Sequence, residues 1–386
     1  MDSSLQHLQT QVQAARVDRV PLRIQGGGSK SFWPALWPLG AAASQARTLD
    51  TRPHRGIVSY EPSELVVTAR CGTPLAELEA ALAERGQCLP FEPPHFAAQG
   101  AASTATVGGM VAAGLSGPAR ATVGSVRDYV LGMQIIGGTG EVLNFGGTVM
   151  KNVAGYDVSR LMVGSLGTLG LITQVSIKVL PIAPAEATLR FAMDQAPMLH
   201  QLNTWGGQPL PLNASSWVND AGQDVLYLRL RGARAAVESA CNLFEHDHGA
   251  ARVDSAQTRA DWQAARDLAL PFFNPPPAPA GLALWRLSLP PSAPALPLPH
   301  AQLIEWMGGL RWLWASVDDG NLISESAEKM GGSAHVFKAN NIDELMEKHS
   351  RFSINSKNIT YQTIERRLKA QFDPLGVFNP GVMPGH

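Results

Sequence analysis

Ala105-Thr106-Val107-Gly108-Gly109-Met110-Val111-Ala112-Ala113-Gly114 opens the stretch, Thr104 to Pro181, on which the reading of this chain turns. It continues through Ser125-Val126-Arg127-Asp128-Tyr129-Val130-Leu131-Gly132 and Lys151-Asn152-Val153-Ala154-Gly155-Tyr156-Asp157. It closes on Gly164-Ser165-Leu166-Gly167-Thr168-Leu169-Gly170-Leu171-Ile172-Thr173. Glycines cluster at turns between apolar runs, as a backbone requires where it must approach a polyanionic ligand closely. After Thr106 the run reads as a helix whose start offers N–H groups and a partial positive charge to phosphate. The plainer alternative is a tight turn that lets a helix pack.

Upstream, Val20–Gln25 is a short strand that runs into Gly26-Gly27-Gly28-Ser29, whose consecutive N–H groups can cradle a diphosphate. This is not a P-loop, because Ser29 and not glycine precedes Lys30, and no G-x-G-x-x-G follows a strand. Residues 3–16 read as a helix, and Thr48–Asp50, Gly56–Tyr60 and Leu65–Arg70 as strands. Thr73-Pro74-Leu75 signals a helix start, with Thr73 as cap, an apolar stripe of Leu75, Leu78 and Leu82, and Gly86 as stop. Strands are expected at Tyr129–Ile136, Val142–Phe145 and Ile172–Leu180, the first two joined at Gly138-Thr139-Gly140. Asp128, just before a strand, reads better as a cap or turn residue than as a ligand.

Beyond Pro181 and Pro184, residues 186–270 read as a second, α/β unit with a strand at Val225–Leu230 and a helix near 233–245. The interval 271–299 is proline-loaded and encloses a strand at Leu282–Leu289; Gly309–Ala315 and Ser333–Phe337 are further strand candidates. Thr360–Phe372 is amphipathic, with Ile364, Leu368 and Phe372 on one face.

The chain has 386 residues, more than one ordinary core takes, so two compact units are expected. Lysines and arginines number 31 against 32 acidic residues, a net charge of −1, which argues against a nucleic-acid surface. Three cysteines without a C-x-x-C pair exclude an iron–sulfur cluster held by this chain alone and suit a reducing compartment. No signal peptide is read at the N-terminus, and no apolar run reaches the ~18 residues of a membrane span. A cytoplasmic protein is expected. No metal site is expected: His246-Asp247-His248 has suitable residue types but sits at a helix end.

Taken in order, G-G-G-S at 26–29, T-V-G-G at 106–109, V-R-D-Y-V-L-G at 126–132, K-N-V-A-G-Y-D at 151–157 and G-S-L-G-T-L-G-L-I-T at 164–173 resemble a known family. They are similar to the FAD-binding domain of the vanillyl-alcohol oxidase and p-cresol methylhydroxylase (PCMH) class. Cys71–Leu75, Leu89–His95, Met150–Gly164, Leu270–Phe273 and Gly376–Gly381 resemble in particular the smaller flavin subunit of bacterial glycolate oxidase. The resemblance runs from about Pro21 to Pro384, densest before 181.

The resemblance implies an α+β fold in three parts. These are a two-lobed PCMH-type FAD-binding domain over 18–183, a smaller α/β cap domain over 184–350, and a C-terminal segment, 351–386, that returns to the FAD domain. Gly26, Gly27, Gly28 and Ser29 would meet the diphosphate together with Thr106, Val107, Gly108 and Gly109. Pro93, Ser116, Gly117 and Gly124 would join the same cleft, Gly170 and Ile172 would meet the adenine or flavin edge, and Asn379 would sit by the flavin. Family members with covalent FAD often carry histidine in the first loop; Ser29 or Lys30 stands here, so FAD is expected to be non-covalent.

The implied function is that of the FAD-binding subunit of a glycolate oxidase complex, oxidising glycolate to glyoxylate and passing electrons toward an iron–sulfur subunit. The implied partners are that iron–sulfur subunit and a larger flavin subunit, through which the chain would reach the inner face of a membrane. Two alternatives stand beside it: a stand-alone FAD-dependent D-2-hydroxyacid dehydrogenase, and a non-catalytic flavin relay or assembly subunit. Where relatives that oxidise 2-hydroxyacids carry H-x-x-x-G-N-x-H, this chain has Gly331–Phe337 with the single His335. Val382 stands where related chain ends carry a basic residue. Catalytic residues are therefore unassigned, with His335 as a candidate base and Arg286 as a candidate carboxylate holder.

Overall fold

A computed structural model describes residues 2–33, 44–97, 101–147, 157–276, 281–339 and 359–382. The motif at 151–156 and the stretch 340–358 lie outside the described residues. The chain divides into two compact units, Met1–Leu115 with Ser125–Ile182 and Asn355–His386, and Ser116–Gly124 with Ala183–Ile354.

The first unit begins with α1 (Ser3–Asp18), capped by Asp2, whose carboxylate accepts the Ser4 N–H. Parallel strands β1 (Leu22–Gln25) and β2 (Arg47–Asp50) follow. Strands β3 (Ile57–Glu61), β4 (Val66–Arg70), β6 (Val130–Ile136), β7 (Val142–Gly146) and β8 (Leu171–Lys178) make an antiparallel sheet in the order β3-β4-β8-β6-β7. Between them in sequence, β5 (Gln87–Cys88) pairs with β9 (Leu180–Pro181). Helices α2 (Leu75–Ala83) and α3 (Val107–Ala113) pack on this sheet. Leu75, Leu78, Leu82, Val107, Met110 and Val111 join Val67, Ile135, Val175 and Ile177 in one core. Burying each of these side chains contributes about 1.5–3 kcal/mol before entropy is charged.

Thr73 does not cap α2. Pro74 occupies the cap position, and the Thr73 hydroxyl instead accepts the Gly56 N–H at 2.9 Å. The Leu75 N–H bonds Ala105 O at 2.8 Å, so the helix start is satisfied by the backbone that leads into α3. Ser125 and Asp128 form a reciprocal capping box over Val126–Tyr129, which makes Asp128 a cap.

The second unit is built on one eight-stranded sheet. Its strands are β10 (Ala185–Ala192), β11 (Leu212–Asp220), β12 (Gln223–Gly232), β13 (Ala251–Arg252), β14 (Leu282–Ser288), β15 (Gln302–Glu305), β16 (Leu310–Ser316) and β17 (Ser333–Ala339). Their order is β13-β10-β12-β11-β15-β16-β14-β17, and every pair is antiparallel. This corrects the α/β expectation: the unit is α+β, because every pairing in its sheet is antiparallel and none is the parallel pairing that a βαβ crossover makes. Helices α4 (Gln195–Gly206) and α5 (Arg234–His248) bury Trp205 and Phe244 against Phe191. Helices α6 (Ser255–Arg266) and α7 (Gly320–Lys329) complete the unit. Residues 116–124, expected in the first domain, belong to this unit.

The C-terminal segment returns to the first unit. Helix α8 (Ile359–Phe372) is followed by a chain that pairs with β1 at Leu22 and Phe378, and the Asn379 N–H bonds Leu22 O at 2.8 Å. No helix among the described residues is long and apolar enough to cross a membrane.

Candidate functional site

A cleft of about 460 Å³ opens in the first unit. Its floor is the turn after β1. Gly26, Gly27, Gly28 and Ser29 all line it, and among the described residues no acceptor meets their backbone N–H groups. Four successive donors left open on one wall form a seat for an oxyanion. A Cβ on Gly27 would stand 1.4 Å from Thr104 O, so any side chain there forces the backbone to move.

The second glycine segment behaves differently. Thr106, Gly108 and Gly109 line the cleft. Their part of the backbone is already engaged: the Val107 N–H bonds Thr73 O at 2.9 Å, and the Gly108 N–H bonds Cys71 O at 2.8 Å. The Gly109 N–H bonds Thr106 Oγ1 at 3.3 Å. The expectation that the Val107, Gly108 and Gly109 N–H groups meet a phosphate is therefore corrected, while Thr106 keeps its place on the cleft wall. The glycines serve close packing, for a Cβ on Gly108 would lie 2.6 Å from Cys71 Cβ. Val107 is fully buried in the core and does not line the cleft.

Gly170, Ile172 and Asn379 also lie on the cleft. The Asn379 side chain is occupied at both ends. Its Oδ1 accepts the Ile24 N–H at 2.8 Å and its Nδ2 donates to Leu166 O at 2.7 Å. It ties the end of β1 to the Gly164–Gly170 loop, so its part is to hold two walls together. Pro93 is buried and does not line the cleft; Ser116, Gly117 and Gly124 fall in the second unit and do not line it either.

Sequence reasoning missed what fixes these walls. Lys369 and Asp373 are both buried, with Lys369 Nζ 2.6 Å from Asp373 Oδ2, 2.6 Å from Thr168 O and 2.9 Å from Phe378 O. Asp373 in turn accepts the Val377 and Phe378 N–H groups at 2.8 Å each. Burial lowers the Lys369 pKa, and Asp373 opposes the shift. The four-residue spacing on α8 was visible, but nothing in it announces burial. Also missed was Lys30, buried on the cleft, with Nζ 5.7 Å from the Phe96 ring centroid and 3.3 Å from Ser29 Oγ. Its cation beside the open N–H groups gives the seat a positive character. Cys71 lines the cleft as well, but burial pushes its thiol up to about 12, so it is a packing residue and no nucleophile.

A glycine-walled seat of free N–H donors beside a buried lysine fits a diphosphate-bearing cofactor such as FAD. Gly26 to Ser29 would hold its diphosphate, and the cleft walls at Gly170 and Ile172 would take its rings.

His335 and Arg286 are both in the second unit, on adjacent strands β17 and β14, as register partners. Burial and the Arg286 charge push the His335 imidazole down to about 3, so it is neutral at physiological pH. His246 and Asp247 pair with each other at the exposed end of α5, and His248 packs on Trp205. Among the described residues, no group of three or more His, Cys, Asp or Glu side chains is placed to hold a metal ion.

Residues 3–146 match the family model described as an FAD binding domain. The glycolate oxidase subunit GlcE of Escherichia coli (strain K12) is 45% identical over 379 residues, 98% of this chain and 97% of that one. The D-lactate dehydrogenase of Anaerostipes hadrus is 37% identical over 125 residues, which span 32% of this chain and 25% of that enzyme. The glycolate oxidase subunit GlcD of Bacillus subtilis (strain 168) is 31% identical over 133 residues, 34% of this chain and 27% of that one. Among solved structures, alkyldihydroxyacetonephosphate synthase superposes with a TM-score of 0.68 at 16% identity, over 97% of this chain and 74% of that one. That likeness is one of fold.

Proposed function

The chain belongs to the family of the glycolate oxidase subunit GlcE, and from that membership we propose that it is the FAD-carrying subunit of a glycolate oxidase complex. FAD is its cofactor, and the chain is an FAD-dependent hydroxyacid oxidoreductase. The observation that carries the reading is identity sustained over nearly the whole of both chains, which includes the second unit and the C-terminal return. The dehydrogenase and GlcD relatives named above match over only about a third of this chain.

FAD, when bound, supplies acceptance of the two electrons released as glycolate becomes glyoxylate. This chain's residues do the holding. Gly26–Ser29 offer their N–H groups to the diphosphate with Lys30 alongside, and Asn379 and the Lys369–Asp373 pair keep the walls in place. The FAD is non-covalent, in a PCMH-type domain to about residue 183. The second unit to about residue 350 acts as the cap. The chain is the smaller flavin subunit; a larger flavin subunit and an iron–sulfur subunit are its partners. Electrons pass to the latter, and those partners bring the chain to the inner face of the membrane.

The test is anaerobic glycolate added to the FAD-loaded chain with and without partner subunits, followed by flavin absorbance. Bleaching that requires the partners, or is strongly accelerated by them, is the expected result. Rapid full bleaching by the isolated chain would favour the stand-alone dehydrogenase, and turnover by the assembled subunits with no bleaching of this chain's flavin a non-catalytic assembly role.

A further inference from the structure

The flavin cleft leaves one cluster of the second unit unused. In the sheet order β15-β16-β14-β17, neighbouring strands bring together Glu305, Trp312, Arg286 and His335. Arg286 is the register partner of Trp312 on one side and of His335 on the other, so these three side chains share a face. Glu305 shares it too, two residues beyond the Leu303 that pairs with Trp312. Trp306 follows, its Nε1 bonded to Gly117 O at 2.9 Å, and it carries two guanidinium groups over its ring: Arg120 at 4.4 Å and Arg286 at 5.1 Å from the centroid. Arg286 also lies 5.8 Å from the Trp312 ring, and Trp312 Nε1 donates to Glu305 Oε2 at 2.8 Å.

Arg286 is poorly served by the protein. Among the described residues it makes one hydrogen bond, from Nη1 to Ser288 Oγ at 3.2 Å, and the Glu305 carboxylate acts on it from beyond direct ion-pair distance. Burial and the neighbouring Arg120 charge lower it to about 10 against the opposing pull of Glu305, which leaves it cationic at neutral pH. His335 Nε2 is enclosed and has no hydrogen-bond partner among the described residues. A half-buried guanidinium with unfilled donors beside an unfilled imidazole nitrogen is a costly arrangement unless a ligand completes it.

We infer that this face of the second unit binds a small monocarboxylate with an oxygen on the adjacent carbon, a 2-hydroxy or 2-oxo acid. Arg286 takes the carboxylate through paired N–H bonds and His335 Nε2 meets the adjacent oxygen. The Arg120 and Arg286 charges set against the Glu305 carboxylate leave the cluster one net positive charge, which favours a monocarboxylate over phosphate. The anion class follows from the cluster itself; the choice of a 2-hydroxy or 2-oxo acid rests on the function proposed above.

Oxamate is a suitable probe, being a monoanionic 2-oxo-acid isostere that cannot give up a hydride. Calorimetric titration of the full FAD-loaded chain should show saturable binding. Arg286→Gln should weaken it roughly tenfold or more and His335→Leu several-fold, with flavin content unchanged. Arg286→Lys keeps the charge without the planar fork and should fall between wild type and Arg286→Gln. Flavin content and melting temperature of each variant report that it is folded. Failure of the folded wild-type chain to bind oxamate, or unchanged affinity in Arg286→Gln, overturns the inference. So does displacement of oxamate by inorganic phosphate at equal concentration. A chain that holds FAD but not oxamate sinks this inference and leaves the flavin reading standing; one that binds oxamate without FAD does the reverse.

Discussion

The loop Gly26–Ser29 and the segment Thr106–Gly109 are both rich in glycine and both reach the same cleft, yet they treat their backbone donors in opposite ways. In the first, the N–H groups meet no acceptor among the described residues. In the second, Thr73 O, Cys71 O and Thr106 Oγ1 take them up. Glycine permits close approach in both. Protein comes close to both on the Cα side, with Thr104 O at Gly27 and Cys71 at Gly108; what differs is what the N–H groups face, the open cleft in one case and protein acceptors in the other. A glycine cluster is thus a statement about distance, and only the destination of its N–H groups tells whether a ligand or the protein itself is what comes near.

Substitutions in the two segments should separate along that line. Gly27→Asp places a side chain 1.4 Å from Thr104 O and a negative charge beside the open donors. It should cut FAD affinity roughly 100-fold, read by flavin fluorescence titration. Unchanged retention would remove the first loop from the site. Lys369→Met tests the wall that both segments depend on. It strands the buried Asp373 carboxylate and should cost about 3–5 kcal/mol of stability in denaturant unfolding, with FAD retention lost as a consequence. A loss under 1 kcal/mol, on the order of a surface pair, would show that the pair does not hold the C-terminal return.

Gly108→Ala sharpens the contrast. Its Cβ meets Cys71 Cβ at 2.6 Å, so it should cost about 1–3 kcal/mol of stability while the folded fraction still binds FAD one to one. Loss of FAD without loss of stability would return this segment to phosphate binding. The smallest effect is expected from Thr106→Ala, which removes the cap on the Gly109 N–H. About 1 kcal/mol of stability should go, with FAD affinity within a few-fold of wild type.

Much of the first unit was legible from residue pattern. The branched run Leu65–Arg70 and the apolar runs near 130–136 and 171–178 read as strands, and the glycine turns between them marked a place of close approach. The order β3-β4-β8-β6-β7 was not legible, since it depends on pairings between segments as far apart as Val66 and Lys178. Nor was the fate of the Val107 and Gly108 N–H groups, because their acceptors on Thr73 and Cys71 become neighbours only when the unit folds. Thr73 misled for the same reason: a local capping signal lost its hydroxyl to Gly56. In the second unit, β11 was hidden by its polar composition, for Asn213, Ser215 and Ser216 are buried in a strand that hydrophobic alternation does not announce. Arg286 and His335 were noticed singly, and only strand register made them a pair.

The central claim is that the open donors of Gly26–Ser29 seat the FAD of this chain. Titration of FAD into the flavin-stripped wild-type chain, followed by flavin fluorescence and checked against Gly27→Asp, tests it most directly. Saturation at one FAD per wild-type chain, with binding abolished or strongly weakened in the folded variant, is the predicted result. A folded wild-type chain that shows no saturable binding, or a variant that binds FAD as tightly as wild type, would contradict it.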